Sequence, residues 1–449
     1  MHSRIRIKLH RQSAVNNTMP AARTLLIILA RNPVQGDVKK RLARDTGSSE
    51  ALRIYRLLLQ HTAQVAEGCG YDYEVFYSSH IPEREPMFAG AKSVLLQKGN
   101  DLGERIGHAF ETGFSQGYSH IVLIGSDCPD LDATHIKKAF AALEQNDAVL
   151  GPAQDGGFYL VGLNNSHPEL FRDRTWSHEE VLKETIGRMD SQEIICSLLE
   201  PLQDIDTFDD LRQSRLWAPI SIIIPTYNEE SRIAAMLDRL LDITAGYAGI
   251  EIIVTDASTD STADIAATRP VTVCHSVKGR SRQMNVGAAR SSGEILYFLH
   301  ADTIPPTSFV EEIMQALNQG SRAGCFRMQF DSPDPLLRIF SWFTRFPLPV
   351  CRGGDQSLFV TKSLFTSIGN YNDSMDIMED YDLIARIERQ TPVRILEGTL
   401  TTSARKYMQN GIIELQSHFA LIHLLNSLGA SQKKLVSYYE KHIKAGDAK

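Results

Sequence analysis

Two short apolar runs, Thr24 to Ala30 and Ile220 to Ile224, each give way to a polar turn and then to an amphipathic stretch. That pattern predicts the first strand and first helix of an α/β unit at both places. After the second run, Ile233, Met236, Leu237, Leu240 and Leu241 fall on one face of a helix, as packing against a sheet requires. Ile250 to Val254 predicts the next strand, and Leu383, Ile384 and Ile387 mark a late amphipathic helix. Each half also has a later apolar run that ends on an aspartate: Ile121 to Ile124 before Gly125-Ser126-Asp127, and Ile295 to Leu299 before His300-Ala301-Asp302. Ligands of open parallel sheets gather beyond the carboxyl ends of the strands, so both acids stand where chemistry is expected. The expected fold is α/β, with two tandem Rossmann-like domains around mainly parallel sheets and no residue-by-residue repeat between them.

The boundary falls near residues 215 to 219. There Asp206-Thr207-Phe208-Asp209-Asp210-Leu211 starts a closing helix, and a polar run leads into Trp217-Ala218-Pro219. A length of 449 residues fits two domains, expected at 23–215 and 216–449. Residues 1–22 carry Arg4, Arg6, Lys8 and Arg11 without an acid and read as a disordered basic tail rather than a nucleic-acid arm. The net charge of -7 argues against nucleic-acid binding. Six cysteines scattered singly suit free thiols in a reducing cytoplasm. No run approaches the roughly 20 apolar residues of a membrane span, and Thr24 to Ala30 is too short for a signal segment. Asp334 to Val350, with Leu336, Leu337, Ile339, Phe340, Trp342, Phe343 and Phe346, admits an interfacial helix but is read first as core or the wall of an acceptor pocket.

In the second half, Asn228 and two glutamates in Pro225-Thr226-Tyr227-Asn228-Glu229-Glu230 suit a helix start. Asp256, in Thr255-Asp256-Ala257-Ser258-Thr259-Asp260, ends a strand; it either accepts from a base or ribose or merely caps the next helix. Lys278-Gly279-Arg280-Ser281-Arg282 concentrates cations ahead of a small-residue helix, which fits either a diphosphate or a solvated loop. Asp302 is a candidate ligand for a divalent cation against that diphosphate. Met378-Glu379-Asp380-Tyr381-Asp382 offers a carboxylate base for a hydroxyl nucleophile, or only a helix N-terminus.

Taken in order, these elements resemble the family 2 glycosyltransferases of the GT-A fold across nearly all of residues 219 to 405. I-P-T-Y-N-E-E, D-A-S-T-D, R-Q-M-N-V-G-A-A, L-H-A-D and the E-D pair stand in family order and spacing. L-H-A-D, Gly354-Asp355-Gln356 and Thr402-Ser403-Ala404-Arg405 look closest to a bacterial subgroup associated with arsenosugar biosynthesis. The resemblance implies that Asp380 is the catalytic base, with Glu379 beside it. It further implies a nucleotide-sugar site formed by Pro225, Glu229, Asp256, Arg280, Arg282, Asn285, Asp355, Gln356 and Arg405, and a divalent cation, Mg or Mn, at Asp302. The family's D-x-D motif is here His300-Ala301-Asp302, which brings in His300, and a family glycine is replaced by Ala257.

In the first half, Gly36 and the cations Lys39, Lys40 and Arg41 follow the opening strand, an arrangement suited to phosphate oxygens or else an exposed basic helix start. P-V-x-G-x-V-K-x-R-L, D-L-G-E-R, G-S-D-C-P and G-P-A-x-D-G-G resemble a widespread bacterial domain related to nucleotidyltransferases, across roughly residues 24 to 212. The resemblance implies nucleotide binding by Gly36, Lys39, Arg41, Asp155, Gly156 and Gly157, a metal at Asp127 and Asp206, and a second GT-A-type domain. The expected protein is a cytoplasmic enzyme, with peripheral attachment at the inner membrane face also open. It moves a sugar from a nucleotide-diphosphate sugar to a hydroxyl acceptor, a lipid-linked one included, with inversion, while the first domain handles nucleotides. The competing expectation is a nucleotide-sugar binding scaffold in which one or both domains are catalytically inactive.

Overall fold

The computed structural model describes residues 23–83, 87–172, 175–176, 179–348 and 354–444. The basic tail and Cys351 lie outside them. The chain divides into two units, 1–215 and 216–449.

The first unit holds strands β1 (Thr24–Ala30), β2 (Tyr73–Tyr77), β3 (Ser93–Leu96), β4 (His120–Ile124), β5 (Ala148–Pro152), β6 (Phe158–Leu163) and β7 (Cys196–Leu198). They form one sheet in the order β3-β2-β1-β4-β6-β5-β7. β3, β2, β1 and β4 run parallel, β6 opposes both neighbours, and β5 and β7 are parallel again. The second unit adds β8 (Ile220–Thr226), β9 (Glu251–Asp256), β10 (Thr272–His275), β11 (Ile295–Phe298), β12 (Thr303–Ile304), β13 (Ala323–Phe330), β14 (Leu358–Thr361) and β15 (Arg394–Thr402). Its order is β10-β9-β8-β11-β14-β13-β15-β12. Without the two-residue β12, this is the first sheet strand for strand, directions included. Both units are thus α/β domains of one topology, although the sequence shows no repeat.

Period-two alternation builds two-faced cores. Leu26, Ile28 and Ala30 of β1 enter one cluster and Leu25 and Ile27 the other. In β8, Ile220, Ile222 and Ile224 face one layer and Ile223 the opposite one. The helix Ile233–Thr244 buries Ile233, Met236, Leu237 and Leu240 as the pattern predicts. Its start differs, because Asn228 is no N-cap. Asn228 has φ +56, and its Oδ1 accepts from the Thr259 amide at 2.9 Å while its own amide donates to Ser258 Oγ at 2.8 Å. The side chain therefore ties the exit of β8 to that of β9.

The expectation that Asp334 to Val350 forms core or pocket wall is corrected by the structure, as far as its described part reaches. Helix Pro335–Phe343 follows β13 and inserts only Leu337 fully. Leu336, Ile339, Trp342, Phe343 and Leu348 remain exposed. Most of the apolar face of this helix is therefore left uncovered by the described residues. No helix of the described residues is long and apolar enough to cross a membrane.

Candidate active site

In each sheet the order reverses beside the first strand, between β1 and β4 and between β8 and β11. Loops at the carboxyl ends part there and leave a crevice.

In the second unit, the β8 and β9 exits are locked together. Asp256 is buried, and its carboxylate accepts from Thr226 Oγ1 at 2.7 Å, Ser258 Oγ at 2.6 Å and the Ser258 amide at 3.1 Å. Buried Gln283, a residue that the sequence reading passed over, donates to the Thr226 and Thr255 carbonyls at 2.8 Å each. Pro225, in β8, is half-buried beside them. The basic loop folds over this turn, with Lys278 Nζ 3.8 Å from the centre of the Tyr227 ring.

The β11 exit brings a second group together. β12 pairs with β15, and Thr303 Oγ1 donates to Thr402 Oγ1 at 2.9 Å, so the segment after Asp302 lies beside the segment that leads to Arg405. Arg405 stands 3.6 Å from Glu229 and Arg232 3.3 Å from it. Burial, with the charge of Asp302, pushes the Glu229 carboxyl up against the pull of both arginines. His300 Nδ1 is 3.3 Å from Asp355 Oδ1. Burial opposes ionisation of Asp355, but the His300 contact, with Lys406 and Arg280, holds its carboxyl well below the usual range. Buried Gln356 donates to the Phe326 and Thr344 carbonyls at 3.1 and 3.0 Å.

The acid pair opens helix Glu379–Glu388, and both acids are buried. Arg280 NH1 lies 3.1 Å from Glu379 and 3.9 Å from Asp380. Arg280, expected beside a diphosphate, here also faces the candidate base and its neighbour. Burial and the charge of Asp380 keep the Glu379 carboxyl above its ordinary value despite Arg280. Tyr371, absent from the sequence reading, donates from its hydroxyl to Asp380 Oδ1 at 3.1 Å. Asn285 holds Tyr371 in place by exchanging two hydrogen bonds with its backbone, at 2.9 and 3.0 Å, and binds Asp373 at 2.7 Å. Arg282 pairs with Asp376 at 3.3 Å. Asp382 does not cap the helix; it pairs with Arg386 one turn on, at 2.7 Å. A small cavity lined by Met284, Phe298, His300, Ser357, Leu358, Tyr371, Asp380 and Ile384 lies at the candidate base.

In the first unit, the Ile205 amide donates to the Asp127 carbonyl at 3.0 Å and so draws the late Asp204 to Asp206 segment to the exit of β4. Lys39, buried and with φ +45, sits between the two acids expected to hold a metal, 3.0 Å from Asp127 and 3.2 Å from Asp206. Arg41 reaches Asp206 at 3.6 Å. Burial alone would lower the Lys39 ammonium, but the two carboxylates outweigh it and raise it. The same burial, with Asp155 and Asp206, pushes the Asp204 carboxyl up to about 6. Asp155 accepts from the Gly157 amide at 2.8 Å. Gly156, at φ +89, turns so close to the backbone of Glu179 that a Cβ would stand 2.0 Å from its carbonyl oxygen. Gly36, also at positive φ, opens the loop ahead of Lys39. Buried Asn32 and Tyr55 brace this crevice: Asn32 Oδ1 accepts from the Ser79 amide at 2.9 Å, and Tyr55 OH joins Ser126 Oγ at 3.1 Å.

Among the described residues no three His, Cys, Asp or Glu side chains converge as a metal-holding group. The donors still suit a hard divalent cation that takes its remaining ligands from phosphates and water. In the first unit the Lys39 ammonium already stands in for a cation between two carboxylates. In the second unit the Asp302 carboxylate accepts only a 3.4 Å contact from Thr303 among the hydrogen bonds described.

Residues 221–362 match the family model described as glycosyl transferase family 2. The second unit carries a glycosyltransferase family 2 domain. Residues 61–178 match DUF2064, described as an uncharacterized protein conserved in bacteria. An uncharacterized glycosyltransferase of Haemophilus influenzae is 27% identical over 195 residues, which cover 40% of this chain and 66% of that one. Another, from Rickettsia felis, is 26% identical over 223 residues, 44% of this chain and 36% of that one. This chain thus spans just under two thirds and about a third of the lengths of these relatives. A solved structure from Desulfovibrio desulfuricans, named as a candidate nucleotide-diphospho-sugar transferase, is 30% identical, with 43% of this chain and 87% of that chain covered and a TM-score of 0.41. The acid pair of the glycosyltransferase family 2 domain, Glu379 and Asp380, lies outside the matched residues and is joined to them by Arg280.

Proposed function

We propose that the second unit transfers a sugar from a nucleotide-diphosphate sugar to a hydroxyl acceptor in one inverting displacement, with Asp380 as the base. The observation that carries this reading is the buried acid pair beside the β8/β11 crevice, with Arg280 as its counter-charge and the Tyr371 hydroxyl donating to Asp380. Tyr371 occupies Asp380 Oδ1, which leaves Oδ2 to accept the acceptor's proton as its oxygen attacks the anomeric carbon. Glu229, Arg405 and the Lys278 to Arg282 loop line the donor side, and the Asp256 turn the nucleoside side. A divalent cation at Asp302, with His300 adjacent, would neutralise the departing diphosphate. L-H-A-D and Gly354-Asp355-Gln356 support the arsenosugar-associated subgroup as the setting. The exposed apolar helix Pro335–Phe343 supports a lipid-linked acceptor met at the inner membrane face.

The first unit, on this reading, is a nucleotidyltransferase-like domain of residues 23–215 with phosphates at Gly36, Lys39 and Arg41 and a metal at Asp127 and Asp206. One observation favours a second reading for it: Lys39 fills the gap between those acids, which suits nucleotide binding without transfer.

The test is Asp380→Asn in the full chain. The variant keeps size and polarity but accepts no proton, so donor binding stays and turnover falls by about a hundredfold or more. Donors are screened by thermal shift with uridine, guanosine and thymidine diphosphate sugars, and the product's anomeric configuration is read by NMR. Turnover kept in Asp380→Asn and lost in Glu379→Gln moves the base to Glu379. Retained configuration refutes the single displacement.

A further inference from the structure

Leu348, beyond helix Pro335–Phe343, is 53% exposed; within the helix Leu336, Ile339, Trp342 and Phe343 are 40%, 51%, 47% and 46% exposed. The spacing puts them on one side of the helix, opposite the buried Leu337. Trp342 also stacks edge-on with Phe346, ring centres 4.9 Å apart, so the patch is a preformed aromatic ridge. Arg338 and Arg345 flank it, both exposed, and the Arg345 guanidinium lies 4.9 Å from the Trp342 ring. The acids of the same segment are engaged by backbone amides. Asp331 Oδ1 accepts from the Ala404 amide at 2.6 Å, and Asp334 Oδ1 from the Leu336 amide at 2.8 Å. In a chain of net charge -7, this is a local cationic rim around an apolar face.

We infer that this face docks on the surface of an anionic lipid bilayer and sets the candidate active site against it. A tryptophan and a phenylalanine between arginines suit the boundary of headgroups and acyl chains, where an amphipathic ring is half solvated and a cation meets lipid phosphate. A second copy of the chain fits less well. The exposed part of the five side chains amounts to roughly 500 Å², short of the about 800 Å² per partner of a stable protein interface. The helix is also rigidly joined to the site. The carbonyl of Thr344, at its C-terminal end, accepts from Gln356 at 3.0 Å, and Thr344 Oγ1 accepts from the Met328 amide at 3.2 Å. Gln356 adjoins Asp355, the partner of His300. An acceptor anchored in lipid would therefore arrive beside the candidate base. The inference rests on the transferase reading only for its purpose, because docking is measured without substrate.

The experiment is flotation of the full chain with phosphatidylcholine vesicles, with and without phosphatidylglycerol, while tryptophan emission is followed. Wild-type protein floats with the anionic vesicles, its emission shifts to the blue, and binding weakens as salt rises. Arg338→Gln with Arg345→Gln lowers the anionic-vesicle affinity by about 25-fold, since each cation near such a surface is worth roughly fivefold. Ile339→Ser with Phe343→Ser abolishes flotation while far-UV circular dichroism stays unchanged. Failure of the wild-type protein to float, or equal flotation by both double variants, overturns the inference. So does a dimer in sedimentation velocity that Ile339→Ser with Phe343→Ser converts to monomer, because the face then belongs to a second copy. Flotation by a chain without transferase activity overturns the transferase reading and leaves docking intact.

Discussion

Replacing Arg280 by methionine removes the counter-charge of two buried carboxylates. The Glu379 side chain is 4% exposed and that of Asp380 11%, whereas Arg280 is 43% exposed. Breaking a fully buried pair from one side costs about 3–5 kcal/mol, but water at the half-exposed guanidinium screens this one, so about 1–2 kcal/mol is expected. The loss depends on pH. The Glu379 carboxyl already lies above its ordinary value, so folding favours its protonated form, and that stability is present at low pH and lost as pH rises through the folded-state value. Without Arg280 the shift grows. The deficit of Arg280→Met is therefore smaller at pH 5 than at pH 8, because protonation of Glu379 removes charge that Arg280 balances. For a unit of this size, about 1–2 kcal/mol lowers Tm by roughly 2–8 °C. The assay is thermal unfolding of the full chain with Trp176→Phe, so that Trp217 and Trp342 report the second unit alone. A Tm loss equal at the two pH values, or below about 1 °C at pH 8, refutes the claim that Arg280 is the counter-ion of the acid pair.

Two further outcomes are expected. Asp204→Asn stabilises the first unit by up to about 3 kcal/mol above pH 6 and by little at pH 4, because a carboxyl pushed up to about 6 penalises folding only once it ionises; a pH-independent gain in urea melts counts against it. Gly287→Ala puts a Cβ 2.4 Å from Ile223 Cγ2 and 3.1 Å from Thr255 Cγ2, which overpacks helix Arg280–Arg290 against β8. It destabilises the second unit by about 1–3 kcal/mol, and an unchanged melting curve would show that the helix has room to shift.

Periodicity and strand ends are legible in the chain because they are local. A continuous apolar run buries both faces of a strand, since successive side chains point to opposite sides, and an acid placed after it reaches the sheet's ligand-binding edge. On that ground Asp127, Asp302 and the Glu379-Asp380 pair could be singled out, as could the α/β class of both halves. Partnership was not legible. Arg280 meets Glu379 across 99 residues and Asn285 meets Asp373 across 88, contacts that no local pattern announces. Lys39 stands between Asp127 and Asp206, two acids brought together by a backbone bond from Ile205 to Asp127. The helix Pro335–Phe343 shows the reverse limit. Its composition predicts burial, but hydrophobicity states only that a surface prefers to leave water, and of this helix only Leu337 is fully buried.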